Sequence, residues 1–298
     1  MSEVRLDDVL ARVAVSRRYR HVADEVVRRL AAEEIPKSRN LADAEKRTKR
    51  RLLQIFGAYT GQPDYPQRLI ALARAIDGGD EGAIREVCRA AMAGHVSTRE
   101  RLPSLDRFYA ELFAITGVPS VVCDIACGLN PLSAPWMGLP AGARYVACDI
   151  DSQLVAFVAE ALELFGLDAR VELRDVVTAP PDCEADVALL LKSAPCLDQQ
   201  DPGAAARVLA GLRARHVVVS FPSQSIGGRA KGMERTYRAR FAALLDELGW
   251  HDRRVEELAL PGESDHDFGR GRRITRGARV WRLWAARPPY PAFLPEAP

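Results

Sequence analysis

The strongest constraint on this chain is a pair of short apolar runs, each of which ends at a polar turn. The first lies within Val121–Leu132 and leads into a turn that contains Gly128, and the second lies within Tyr145–Asp151 and ends at Asp149. Short apolar runs bounded by turns are typical of buried parallel strands. Glycine allows a tight turn and a close approach of the backbone to a ligand. An acid about 20 residues after such a turn therefore predicts a nucleotide-type ligand at the strand ends.

The composition of the first turn favours one type of cofactor. A dinucleotide site uses three glycines, so that the pyrophosphate can lie against backbone N–H groups at a helix N-terminus. Here Gly128 stands alone and is followed by Asn130 and Pro131. Such a turn suits S-adenosylmethionine, which has no phosphate, with Asp149 accepting hydrogen bonds from the ribose. An ordinary α/β turn without a ligand is the alternative.

From about residue 106 onward, candidate strands alternate with candidate helices, which predicts a mostly parallel, doubly wound sheet. The last two candidate strands are joined by a loop without a helical pattern, so we expect them to form an antiparallel pair. The predicted fold is a seven-strand α/β sheet of the class I (Rossmann-like) methyltransferase type. The candidate strands are Ser120–Ile125, Arg144–Asp149, Arg170–Leu173, Asp186–Leu191, His216–Phe221, Val255–Leu260 and Ala278–Ala286, and the later helices are Leu154–Phe165, Pro202–Arg213 and Glu234–Leu248.

The chain is expected to have three parts. Residues 1–105 show apolar residues at helical spacing and predict a helical N-terminal region. Residues 106–287 carry the alternating strands and helices of the methyltransferase domain, and residues 288–298 form a proline-rich tail.

Composition narrows the class of protein further. The 298 residues can bury a substantial core, and none of the apolar stretches approaches the roughly 20 residues that span a bilayer. The first residues contain no apolar signal core, so a cytoplasmic location without membrane contact is expected. The six cysteines lie mostly within apolar runs and form no paired C-x-x-C motif, so we expect buried thiols and no metal site.

Basic residues are concentrated in two places, although the net charge is only +2. The segment from Lys37 to Arg51 contains seven basic residues against two acidic ones, and a second basic run extends from Arg270 to Arg279. Two such patches favour a polyanionic partner such as a nucleic acid. The alternative is a solvated face, because arginine is abundant along the whole chain.

Five segments of the chain resemble the 16S ribosomal RNA (guanine-N7) methyltransferases that confer aminoglycoside resistance in actinomycetes and in resistant pathogens. They are His95–Leu102, Asp124–Pro131, Tyr145–Asp151, Leu189–Pro195 and Ser220–Met233, the last being the most specific. The resemblance implies methylation of a decoding-site guanine of 16S rRNA in the assembled 30S subunit, with S-adenosylmethionine as donor. It also implies resistance to gentamicin- and kanamycin-type aminoglycosides. We expect the enzyme to be a monomer.

The resemblance and the strand-end rule together assign the site. Arg101 is expected to pair with the methionine carboxylate, and Asp175 to accept from the adenine amino group. The full set of expected cofactor-binding residues is Tyr59, His95, Val96, Ser97, Arg101, Ala126, Gly128, Asp149, Asp175, Val176, Leu191 and Gln200. Candidates for holding the guanine or its phosphates are Lys192, Ser193, Arg229 and Lys231, for which surface solvation is the alternative.

Guanine N7 has an available lone pair and no proton, so the reaction needs positioning and no general base. The residues alone also leave two other enzymatic functions and one binding function open. Pro195-Cys196 resembles the nucleophile motif of cytosine-C5 methyltransferases, in which a thiolate attacks the base. The cofactor motifs also allow a small-molecule methyltransferase, although this reaction would not need the basic N-terminal helices. A non-enzymatic RNA-binding protein with a degenerate core is the third alternative.

Overall fold

The N-terminal region is helical in the computed structural model, which describes residues 4–56, 64–221, 233–249, 256–260 and 281–286. Helices α1 to α3 form a small core of their own, in which Val9, Val26, Leu30 and Leu52 are buried. These residues recur at helical spacing, so each helix turns one apolar stripe inward. The helices before the first strand are α1 Leu6–Ala14, α2 Asp24–Glu34, α3 Leu41–Phe56, α4 Tyr65–Asp77, α5 Glu81–Ala93, α6 Val96–Arg99 and α7 Leu105–Thr116.

The second part of the chain alternates strands with helices, and its sheet has the order β3-β2-β1-β4-β5-β7-β6. Strands β1 to β5 are parallel, whereas β7 is antiparallel to both β5 and β6. The α/β fold with a parallel sheet is thus confirmed. The strands are β1 Val121–Ile125, β2 Arg144–Asp149, β3 Asp168–Leu173, β4 Glu184–Leu191, β5 Arg213–Ser220, β6 Glu256–Leu260 and β7 Trp281–Ala286, and the helices are α8 Ser152–Leu164, α9 Ala194–Gln200, α10 Ala204–Ala210 and α11 Met233–Glu247.

Alternate residues of the sheet enter two different cores. Val122 of β1 lies in the core formed with α4, α5, α7 and α8, whereas Cys123 and Ile125 lie in the core formed with α9, α10 and α11. This alternation follows from the two-residue period of a strand. Helices therefore cover both faces, and ligands of such a sheet bind outside the carboxyl ends of the strands, where the strand order reverses between β1 and β4.

A short loop of the N-terminal region is tied to the segment that follows β2. The Ala23 N–H donates to the Ile150 carbonyl at 2.8 Å, and the Ser152 N–H donates to the His21 carbonyl at 2.8 Å. The side chain of Ile150 packs against the core of α1 to α3. The N-terminal helices therefore lie directly against the carboxyl end of β2.

The boundaries near β5 differ from the sequence prediction. The helix expected over Pro202–Arg213 ends at Ala210, and the strand expected from His216 begins at Arg213. Arg213 and Arg215 are exposed while Ala214 is buried, so the strand period is present but its outer residues are charged and read as a helix end. Helix α9 and the 3-10 helix over Asn130–Trp136 were not expected, because each follows directly on a turn.

None of the helices in the described ranges combines the length and the apolar character that a membrane span requires.

Candidate cofactor-binding site

A cavity of about 960 Å³, including its open mouth, lies at the carboxyl ends of β1 to β4. Most of the residues that the sequence assigned to the site line it: His95, Ser97, Ala126, Gly128, Asp149, Asp175, Val176, Leu191, Lys192, Ser193 and Gln200. Val96 begins α6 beside His95, and Arg101 lies outside the lining. Tyr59, Arg229 and Lys231, together with the second basic run, lie outside the described residues.

The turn after β1 brings its backbone against the α6 segment. Gly128 has φ of +52°, and a Cβ placed on it would lie 3.0 Å from His95 Cε1. Glycine is required there both for the left-handed backbone and for this close approach. His95 Nδ1 in turn contacts Ser97 Oγ at 2.7 Å, so the two side chains form one wall beside the turn.

Asp149 links the turn after β1 to the turn after β2, beside the cavity. One carboxylate oxygen accepts from the Gly128 N–H at 2.9 Å, and the other accepts from the N–H groups of Ile150 at 2.7 Å and Asp151 at 3.3 Å. Burial raises the pKa of Asp149, while these N–H donors oppose the rise. A carboxylate can accept about four hydrogen bonds and these donors use three, so the oxygen that faces Gly128 can accept one more, as from a ribose hydroxyl.

The turn is braced from below by a buried polar network. Asp124, which is 1 % exposed, accepts from Asn130 Nδ2 and from the Tyr145 hydroxyl, both at 2.8 Å. Asn130 Oδ1 accepts from Arg101 Nη2 at 2.7 Å and from the Tyr109 hydroxyl at 2.9 Å. Burial raises the pKa of Asp124 to about 7. The sequence analysis noted Asn130 only because a pyrophosphate site would have a glycine-rich turn instead. In the structure, its hydrogen bonds anchor the turn.

Arg101 stands behind the cavity rather than on its surface. It is 1 % exposed, and its Nε and Nη1 atoms are buried without a hydrogen-bond partner among the described residues. Its charge contributes to the lowered pKa values of His95 and Lys192, which line the cavity. Two buried, unused N–H donors at this end fit an incoming carboxylate. Together with the close approach of the backbone at Gly128, these donors fit a cofactor that carries an amino-acid carboxylate.

Lys192 directly follows β4 and is 4 % exposed. Its φ of +64° is in the left-handed region, and its Nζ donates to Glu100 at 2.7 Å. Burial and the Arg101 charge lower the pKa of Lys192 to about 7, although Glu100 opposes the change. Because Lys192 is buried and already paired with Glu100, its Nζ is better placed to contact a base that enters the cavity than a phosphate at the surface.

Several lining residues carried no signal in the sequence. Ile55 and Tyr65 come from α3 and α4, which are far from the strands along the chain. Asp151 could have been expected, because it follows Asp149 and caps α8 by accepting from the Gln153 and Leu154 N–H groups. The remaining additions are Ile150, Gln153, Leu154, Arg174, Val177 and Leu197, and Cys196 of the alternative nucleophile motif also lines the cavity.

His95 makes acid sensitivity a testable property of the site. Burial, followed by the charges of Arg101 and Lys192, lowers its pKa from 6.5 to about 4. Between pH 6.5 and pH 4 the unfolded chain binds this proton and the native chain does not. The free energy of unfolding therefore decreases as the pH is lowered through this range. We expect His95 to account for about 3 kcal/mol of this loss, and His95→Asn to flatten the slope measured by urea unfolding between pH 7.5 and 4.5.

The comparison for this experiment is Thr98→Val, which changes a buried residue beside His95 without removing a titratable group. It should leave the pH slope close to that of the unmodified protein. Equal slopes for His95→Asn and the unmodified protein would show that His95 is not the group responsible.

The fold and the cavity define an α/β methyltransferase. The model of the ribosomal RNA methyltransferase (FmrO) family matches residues 15–260, and the chain belongs to that family. Among its relatives, the 16S rRNA (guanine(1405)-N(7))-methyltransferase of Frankia casuarinae is 48% identical over 83% of this chain and 89% of its own length. The enzyme of the same description from Micromonospora echinospora is 43% identical over 85% of this chain and 94% of its own length.

Solved structures agree with this assignment. The 16S rRNA methyltransferase RmtF, in complex with S-adenosyl-L-homocysteine, is 32% identical to this chain with a TM-score of 0.76, covering 96% of this chain and 99% of its own. The 16S rRNA methylase RmtB is 26% identical with a TM-score of 0.71, over 96% of this chain and 99% of its own.

Proposed function

We propose that the protein transfers a methyl group from S-adenosylmethionine to N7 of a guanine in 16S rRNA, and that the modified nucleotide corresponds to the guanine 1405 of its relatives. The observation that carries this proposal is the cavity of a family member in which Gly128, Asp149 and Asp175 stand at three adjacent strand ends. The seven-strand order agrees with the class I methyltransferase arrangement.

The cofactor supplies an electrophilic methyl group on a sulfonium. Asp149 is suited to accept from ribose hydroxyls, and Asp175, with Val176 beside it, to bind adenine. Arg101 offers two buried N–H donors for a carboxylate. Leu191 and Gln200 close the cavity near β4. These residues bind and orient; none of them needs to remove a proton, because guanine N7 carries none.

Lys192 and Ser193 are proposed to position the guanine. Lys192 Nζ is a donor for the base, and Glu100 beside it offsets positive charge as the ring becomes cationic. The Ser193 hydroxyl donates to the Leu191 carbonyl at 3.1 Å, which holds the residue at the cavity edge. The target base must leave its stack to reach this depth. Arg229 and Lys231 remain candidates for phosphate contacts.

The substrate context is proposed to be the assembled 30S subunit, bound through the basic N-terminal region of residues 1–105. Residues 106–287 would hold the catalytic domain and residues 288–298 the tail. We further propose that a monomer acts in the cytoplasm, where the ribosomes are, and that methylation of the decoding site confers resistance to gentamicin- and kanamycin-type aminoglycosides.

The proposal is tested with 30S subunits from an aminoglycoside-sensitive strain and S-adenosylmethionine labelled in the methyl group. We expect label in 16S rRNA within intact subunits, at a single guanine that becomes cleavable by borohydride and aniline. Cells that express the protein should grow on gentamicin. Label in a small molecule, or in a cytosine, would contradict the proposal.

Cys196 supplies the control for the cytosine alternative. Its side chain is half-buried and lines the cavity, as a nucleophile would, but the relatives are described as guanine-N7 enzymes. Cys196→Ala should therefore retain methyl transfer at the same guanine. Loss of transfer with unchanged cofactor binding would restore the cytosine mechanism.

A further inference from the structure

Arg29, on helix α2 of the N-terminal region, reaches the end of the cavity near β3. Its Nε donates to Asp175 Oδ2 at 2.8 Å, and its Nη2 donates to Gln200 Oε1 at 2.8 Å. The Arg29 side chain is 15% exposed, and its Nη1 lies 3.7 Å from a carboxylate oxygen of Glu33. One planar guanidinium thus holds two side chains that the sequence assigned to the cofactor.

Arg29 provides the charge that Asp175 needs. The Asp175 side chain is only 2% exposed, and its other oxygen accepts from the Val177 N–H at 3.1 Å. A buried carboxylate is costly unless a partner charge and hydrogen bonds compensate it. The neighbouring Arg174 is engaged elsewhere, with Glu172 and with the carbonyls of Ala179 and Pro180. Arg29 therefore compensates the buried carboxylate of Asp175 and holds it in place as an acceptor.

Arg29 also determines which way the amide of Gln200 faces. Because the Gln200 oxygen accepts from Arg29, its NH₂ group is left as the donor for another partner. The main chain at this point is held as well, since Arg51 Nη2 donates to the Gln200 carbonyl at 3.2 Å. The N-terminal helices thus fix an acceptor at Asp175 and a donor at Gln200.

We infer that Arg29 is a positioning residue that makes this end of the cavity selective for a 6-aminopurine. The inference rests on the proposed function. Adenine presents a donor at its 6-amino group and an acceptor at N1, which complements the acceptor and donor that Arg29 fixes. Hypoxanthine presents the opposite pattern, an acceptor at O6 and a donor at N1. A site of oriented polar groups rejects a ligand that leaves those groups unpaired.

The test is calorimetric binding of S-adenosylhomocysteine and S-inosylhomocysteine to the full chain. We expect the unmodified protein to prefer the adenosyl ligand strongly. Arg29→Ala should weaken adenosyl binding by about tenfold or more and should reduce the ratio of the two affinities, because Asp175 and Gln200 lose their orientation. Arg29→Lys, which keeps the charge but not the two-pronged contact, should recover part of the ratio.

The matched control is Arg28→Ala on the same helix, where the side chain is 55% exposed and, among the described residues, pairs with Asp7 alone, at 4.0 Å. It should leave both affinities unchanged. Should Arg29→Ala fail to fold, the less severe truncation Arg29→Gln, which keeps a polar side chain, gives the same ratio measurement. An unchanged ratio in a folded Arg29 variant overturns the inference, even if both affinities fall. Failure of the unmodified protein to bind S-adenosylhomocysteine would instead overturn the proposed function.

Discussion

Asp149→Asn is expected to bind S-adenosylhomocysteine about 100-fold more weakly than the unmodified protein, because hydrogen bonds to a charged acceptor are each worth about 1.5–3 kcal/mol. The variant removes the charge and turns one of the two accepting atoms into a donor. That change affects the ribose and also the Gly128, Ile150 and Asp151 N–H groups that converge on this carboxylate. Isothermal titration calorimetry measures the effect directly.

Asp186→Asn is the matched control. Asp186 lies near the amino end of β4, far from the cavity, and one of its oxygens accepts from the Ser120 N–H at 2.9 Å and the Val121 N–H at 3.0 Å. The variant therefore disturbs a similar carboxylate that bridges backbone N–H groups, and should lower stability while leaving cofactor affinity unchanged. If Asp149→Asn bound the ligand as tightly as Asp186→Asn does, Asp149 would have only a structural role.

The double variant Lys46→Ala/Arg50→Ala should lose much of its affinity for 30S subunits. These exposed residues lie one helical turn apart on α3, and neither forms an ion pair with another residue of the described ranges. If each contacts a phosphate, the slope of log K against log salt should fall by about 1 per residue. Filter binding of labelled 30S subunits at several salt concentrations measures both quantities.

Arg47→Ala/Lys49→Ala on the same helix is the comparison. Arg47 Nε lies 3.0 Å from Glu34 and Lys49 Nζ lies 2.7 Å from Glu45, so these charges are already partly neutralised within the chain. This pair should change the salt slope less than Lys46 and Arg50 do. Equal slopes for both double variants and the unmodified protein would exclude α3 from the docking surface.

The strand ends were predictable, whereas the groups that brace them were not. Asp149 and Asp175 follow apolar runs, and the ends of parallel strands meet at one edge of the sheet, so their approach follows from the pattern alone. Arg29 and Ile55 lie on amphipathic helices more than 60 residues before β1, and nothing in their local pattern distinguishes them from a solvated arginine or a core residue. Their roles depend on how the helices pack, which a local pattern does not contain.

The hydrogen-bond network around the first turn also contains contacts that the sequence does not predict. Asn130 could be located in the turn, but its partners Arg101 and Tyr109 are 29 and 21 residues away. The sequence predicted a contact between Arg101 and a ligand, and the structure adds its contact with the turn itself. Long-range hydrogen bonds of this kind become visible only when the fold is known.

The two backbone hydrogen bonds that join residues 21–23 to residues 150–152 also limit how the protein can be divided. Because they involve main-chain atoms, side-chain substitution cannot remove them, and a chimera that exchanges the N-terminal helices between two relatives must preserve the path of both short segments. The part of the chain proposed to recognise the ribosome also forms one wall of the cavity proposed to bind the cofactor. These two parts are therefore expected to have diverged as one unit.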